Sequence, residues 1–197
     1  MKNILMNTLL IFTLLSLIFV FNYIDNKKET IVKQVEYTEN NFVAEEKEIV
    51  YDGLTFDELV EVLDTSLKDD LAGTGYLYAK YALQYGVDPY LAVGISLHET
   101  GCNDKCSDKV VSCNNVGGQR FKPTCYDGGT YGRYDTLEAG IEGFIRNIYN
   151  NYVRYGMLTS YEMEDKYVGT GSKSWAPKVE GYIAKSKEAA LRIKESA

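Results

Sequence analysis

The sequence predicts a mostly α-helical domain interrupted by one long loop and preceded by an apolar N-terminal segment. Three observations predict it. Apolar residues recur at helical spacing from 55 to 100 and again from 137 onward. Residues 101–134 lose that period and are rich in Gly, Asn, Asp and Cys. Residues 4–24 are almost wholly apolar, interrupted by Asn7, Thr8, Thr13, Ser16 and Asn22.

The N-terminal segment is long enough to matter, since about 20 apolar residues cross a bilayer core. Its exit, Phe19-Val20-Phe21-Asn22-Tyr23, lacks the small-residue site of a removable signal. Residues 1–24 therefore read as a single-pass transmembrane helix, in contact with the membrane through residues 4–24. Secretion after signal cleavage is the alternative. Lys2 on one side and Lys27-Lys28 on the other code orientation only weakly. Residues 25–50, with Glu39-Asn40-Asn41 and Glu45-Glu46-Lys47-Glu48, read as a polar linker without apolar period. The globular domain is expected over 51–197. A formal net charge of −7 argues against nucleic acid or anionic lipid as partner.

Within the domain, Thr55-Phe56-Asp57-Glu58 is a capping box opening a helix with Leu59, Val62, Leu63 and Leu67 inward. Tyr76 to Tyr85 reads as a second helix stopped by Gly86. Asp88 as N-cap and Pro89 in the first turn open a third, with Leu91, Ala92 and Ile95 as its apolar stripe and Gly101 as its stop. Asp135 and Glu138 form a second expected capping box. The helix behind it carries Leu137, Ile141, Phe144, Ile145, Ile148 and Tyr152 inward, and Gly156 ends it. Ser160 is expected to cap a short helix, and Pro177 to open the last one with Val179, Tyr182 and Ile183.

The loop between the third and fourth helices holds all four cysteines, Cys102, Cys106, Cys113 and Cys125. An even, clustered set behind a membrane segment points to two disulfides in an oxidising compartment, with the pairing left open. Spacings of three, six and eleven intervening residues lack a Cys-x-x-Cys knuckle, so no metal site is expected. A loop of this length in a compact domain is usually functional.

Glu99 stands where the third helix meets that loop. At about 100° per residue it shares the face of Leu91, Ala92 and Ile95. Apolar neighbours and the negative end of the helix dipole both disfavour a charged carboxylate there. A protonated carboxyl is what a glycosidase uses to protonate its leaving group.

Several segments in order carry a resemblance. They are His98-Glu99-Thr100-Gly101, Cys113-Asn114-Asn115-Val116-Gly117-Gly118, Gly132-Arg133-Tyr134-Asp135, Leu137-Glu138-Ala139-Gly140-Ile141 and Trp175-Ala176-Pro177-Lys178-Val179-Glu180-Gly181-Tyr182. Together they resemble the bacterial endo-β-N-acetylglucosaminidases of glycoside hydrolase family 73, in the lysozyme-like superfamily, over about 54 to 183. The resemblance implies a lysozyme-like helical fold, with the disulfide-stapled loop or a small β-ribbon over a groove for peptidoglycan glycan strands. It implies Glu99 as catalytic acid, with no cofactor. Asn114, Asn115, Gly117 and Gly118 match the family's loop across the groove, and Tyr167 a groove-lining tyrosine. Tyr131, Tyr134 and Asp127 are further substrate-binding candidates. The four cysteines depart from the family's usual pattern.

The second catalytic group is not identified. Asp104, Asp108, Asp127 and Asp135 are the carboxylates on offer, and assistance by the substrate's 2-acetamido group would replace them all. Trp175, the single tryptophan, reads as core, and His98 as a packed histidine. On the same fold, a lytic transglycosylase or muramidase is the alternative. A non-catalytic wall-binding protein is the reading of a different class.

Overall fold

A computed structural model describes residues 22–29 and 48–196. Residues 22–29 are helical and exposed, with Lys27 Nζ 5.8 Å above the Tyr23 ring. The expected membrane segment falls largely on residues outside the described ones. Among the described residues no helix is long and apolar enough to cross a membrane.

The compact unit spans Glu48–Ala197, so the expected linker gives way to folded chain slightly before residue 51. It opens with β1 (Ile49–Tyr51) paired antiparallel to β2 (Leu54–Thr55), with Tyr51 opposite Leu54. Asp52 and Gly53 make the turn, both at positive φ, the conformation that Asp-Gly pairs adopt in tight hairpins. This small sheet lies at the start of the domain, not over the loop.

The helices follow the predicted order. α1 (Phe56–Asp64) starts from the full Thr55–Glu58 capping box and buries Leu59, Val62 and Leu63. Leu67, expected on that helix, is buried just beyond its end. α2 (Gly75–Tyr85) is closed by Gly86 in the left-handed conformation. α3 (Pro89–Thr100) has Asp88 as N-cap, accepting from the Tyr90 and Leu91 N–H groups at 2.8 and 3.1 Å. Only His98 and Glu99 of α3 escape full burial, which makes it the central helix and not the one-sided helix expected. Burying each Leu or Ile there is worth about 1.5–3 kcal/mol.

Residues expected to be pure loop contain a short helix, α4 (Asp108–Cys113). α5 (Leu137–Asn151) is capped by Thr136, whose hydroxyl accepts from Ala139 N–H at 3.1 Å. The expected Asp135–Glu138 box is not formed, because Glu138 instead accepts from Tyr81 and Lys80 on α2. A 3-10 turn, Val153–Tyr155, intervenes before Gly156. α6 (Ser160–Val168) is capped by Thr159 through a capping box with Glu162, while Ser160 donates to Glu180 at 2.6 Å. Ser160 is thus one residue inside the helix it was expected to cap. α7 (Trp175–Ser196) begins two residues before Pro177 and packs most extensively against α3. A Cβ on Gly94 would sit 3.2 Å from the Val179 carbonyl and 3.0 Å from Ile183, so glycine lets these two helices approach. The result is mostly helical, with two disulfides and one small sheet.

Candidate functional site

The end of α3 offers one acidic side chain, and it does not point into water alone. Glu99 is half-buried, and its Oε1 accepts from the indole Nε1 of Trp175 at 3.1 Å. Trp175 is buried, as expected for a core residue, yet its one polar atom serves the acid. Two rings hold that indole, and a third backs one of them. Tyr167 stacks on it at 4.5 Å and 23°, His98 meets it edge-on at 6.3 Å, and Tyr152 lies 5.6 Å behind Tyr167.

The first turn of α7 is fixed by a carboxylate from α6. Glu164 Oε1 accepts from the Trp175 and Ala176 N–H groups at 2.9 and 3.2 Å, and from the Ser172 hydroxyl at 3.3 Å. Helix N-termini leave N–H groups unpaired and favour negative charge. Glu164 satisfies both and so sets where the indole stands.

Burial raises the Tyr167 hydroxyl well above its ordinary range, and the charges of Glu99 and Tyr152 add to it. Tyr152 is raised by burial and then by Glu99. Burial lowers His98, with Lys178 acting the same way and Glu99 opposing. Both tyrosines therefore stay neutral around the acid at ordinary pH.

The opposite wall comes from the loop. Lys109 Nζ donates to the Glu99 carbonyl at 3.2 Å and lies 4.8 Å over the Tyr131 ring. Gly118 has φ +61, and a Cβ there would stand 3.5 Å from Glu99 Oε2 and 3.4 Å from Lys109 Nζ. The absent Cβ leaves that one position, in contact with the second carboxylate oxygen, unfilled.

Disulfides Cys102–Cys106 and Cys113–Cys125 tie this wall down, resolving the pairing that the spacing left open. Asn115 does the rest. It is fully buried, donates to the Gln119 and Gly132 carbonyls at 2.8 and 2.9 Å, and accepts from the Gln119 N–H at 2.9 Å. Asn114 takes the left-handed conformation that ends α4 and donates to the Tyr134 carbonyl at 3.0 Å. Gly117 is pressed on Phe144, whose ring a Cβ would meet at 2.1 Å. Ser96 on α3 donates to the Val116 carbonyl at 2.9 Å, fixing the loop to the bundle. The expected β-ribbon is reduced to one bridge, Thr124 with Gly132.

The structure therefore brings Glu99, Gly118, Tyr131 and Tyr167 together. Asn114, Asn115 and Gly117 build the wall from behind, with their groups engaged inside it. Asp127 is exposed, in a turn closed by Gly129 N–H to the Tyr126 carbonyl at 2.9 Å. Asp104, Asp108 and Asp135 are exposed as well. Sequence reasoning missed Lys109 and Glu164, which carry no periodic signal, and placed Tyr152 only as a core position. Asp69, Asp70 and Cys106 lie close enough to hold an ion, but Cys106 is in a disulfide, leaving two exposed aspartates. No protein-family model and no curated protein matches this chain.

Proposed function

We propose that this chain is a peptidoglycan hydrolase of the glycoside hydrolase family 73 type, with a lysozyme-like helical domain and Glu99 as general acid. The observation that carries the reading is the placement of Glu99. It is the one acidic side chain of a buried central helix, held by Trp175 on one oxygen and facing the position left unfilled at Gly118 with the other. A glycosidic oxygen within reach of that second oxygen accepts the proton as the C–O bond breaks, and general acid catalysis contributes about 10²–10⁴-fold. Tyr167, packed between Trp175 and Tyr152, backs the acid from the bundle side, and Tyr131, covered by Lys109, backs it from the loop side.

The four aspartates on offer as a second group are all exposed, which favours a mechanism with one protein carboxyl. For an N-acetylglucosamine ring at the cleaved bond, its own 2-acetamido oxygen attacks the anomeric carbon and water later opens the intermediate. The same single acid serves a lytic transglycosylase, where the sugar's 6-hydroxyl attacks instead. The two disulfides fit a domain on the outer face of a cell membrane, tethered by residues 4–24.

Mass spectrometry of the fragments released from purified peptidoglycan tests this reading. Reducing-end N-acetylglucosamine is the expected result. Reducing-end N-acetylmuramic acid would make the protein a muramidase, and anhydro ends a transglycosylase. No release from several walls would leave a wall-binding protein.

A further inference from the structure

Beyond Gly118 the loop and α5 line a depression of about 400 Å³. Gln119 and Arg120 line it from the loop, and Arg146, Asn147 and Asn150 from α5. No carboxylate lines it, although the chain as a whole carries −7. Arg120 is exposed and lies 5.8 Å from the Tyr131 ring, which Lys109 also covers, and Gln119 follows Gly118 directly in the chain, so the loop that passes Glu99 also lines the depression. Arg146 lies 3.9 Å from Glu142 across one helical turn and near the Tyr85 hydroxyl, with more than half of its side chain exposed. Glu142 is occupied by the Tyr85 hydroxyl at 2.8 Å.

The floor is built rather than incidental. Tyr134 donates to Gln119 Oε1 at 2.7 Å, and Gln119 Nε2 donates to the Gly143 carbonyl at 3.4 Å. Tyr134 lies against Gly143 so closely that a Cβ there would fall 2.6 Å from the ring. Phe121 meets Tyr134 edge-on at 4.8 Å. Asn151 Nδ2 donates to Asn147 Oδ1 at 2.7 Å and orients that amide. Side-chain amides pair with peptide groups, and guanidinium groups pair with carboxylates in a bidentate fork.

We propose that this depression is a subsite for the acidic peptide borne by the glycan strand, with Arg120 and Arg146 taking its carboxylates. The proposal rests on the peptidoglycan reading and deepens it, since it makes peptide-bearing strands the preferred substrate over bare ones. Two measurements on the full-length, oxidised protein test it. Cleavage rates are compared on peptide-bearing strands and on the same strands stripped of peptide by an amidase. Binding of the synthetic N-acetylated tetrapeptide Ac-L-Ala-γ-D-Glu-L-Lys-D-Ala, whose blocked N-terminus matches the amide link to the strand and leaves a net negative charge, is followed by calorimetry.

Wild type should cut peptide-bearing strands at least tenfold faster and bind the tetrapeptide. The double variant Arg120→Gln/Arg146→Gln, with circular dichroism unchanged, should lose that preference and bind at least tenfold more weakly. Arg120→Lys/Arg146→Lys, which keeps the charge, should recover part of both. Equal cutting of the two strands by wild type, or equal tetrapeptide binding by wild type and the Gln variant, overturns the subsite. If wild type cuts neither strand, the glycosidase reading falls, and the tetrapeptide titration still decides the subsite: no binding by wild type overturns it.

Discussion

The two walls of the candidate site are made by different physics. One is the helical bundle, where α3 is enclosed by its neighbours and Glu99 is fixed by the burial of the helix that bears it. The other is residues 101–134, where apolar burial is sparse and two disulfides, Asn115 and Gly117 hold the chain. In the proposed reading, an acid on a rigid helix and a substrate wall on a stapled loop divide the work. The helix sets the position of the acid, and the loop sets what may stand before it.

That difference can be broken from the loop side first. Asn115→Leu leaves the Gln119 N–H and the Gly132 carbonyl without their buried partner, while the Gln119 carbonyl keeps only the Gly132 N–H, at a cost of about 3–4 kcal/mol. Urea denaturation measures the loss. Cys113→Ser/Cys125→Ser removes the staple of the longer loop and should cost about 3 kcal/mol. If the walls are independent as described, hydrogen exchange in that double variant rises across residues 114–134 while α3 amides stay slow. Equal acceleration in α3 would show that the two walls unfold as one.

From the bundle side the effects are smaller and more local. Glu164→Ala strips the partner from the first N–H groups of α7 and should cost about 2 kcal/mol in thermal or urea unfolding. Trp175→Phe keeps the stack on Tyr167 but removes the donor to Glu99, and should slow cleavage about tenfold with little change in unfolding. A comparable loss of stability would mean that the indole matters for packing alone.

The smallest effect is a pH dependence centred on the buried tyrosines. Burial holds the hydroxyls of Tyr78, Tyr90 and Tyr167 above the usual value near 10. The unfolded chain releases those protons from about pH 10 upward while the folded chain keeps them, so stability falls as pH rises past 10. Below that the contribution is fully present. Urea midpoints at pH 8 and pH 10.5 measure it, and Tyr78→Phe should reduce the difference.

The same contrast explains what was legible in the sequence. Capping boxes at Thr55, the Asp88-Pro89 start and the stops at Gly86 and Gly101 are local signals, and the structure follows them. Where a local signal met a tertiary competitor it yielded, as when Tyr81 and Lys80 drew Glu138 away from its expected cap. The loop was legible only as a loop. Its short α4, the pairing of its cysteines and the inward turn of Asn115 depend on partners distant in sequence, which no periodicity records. The position of Glu99 was legible because a carboxylate at the end of an apolar helix is conspicuous. Glu164 was not, because its role exists only once α6 meets the start of α7.

The central claim is that Glu99 supplies the proton, and Glu99→Gln tests it most directly. Release of soluble fragments from peptidoglycan should fall about 10²–10⁴-fold, with the thermal midpoint unchanged. A variant that folds as wild type and releases fragments at the wild-type rate would contradict the account.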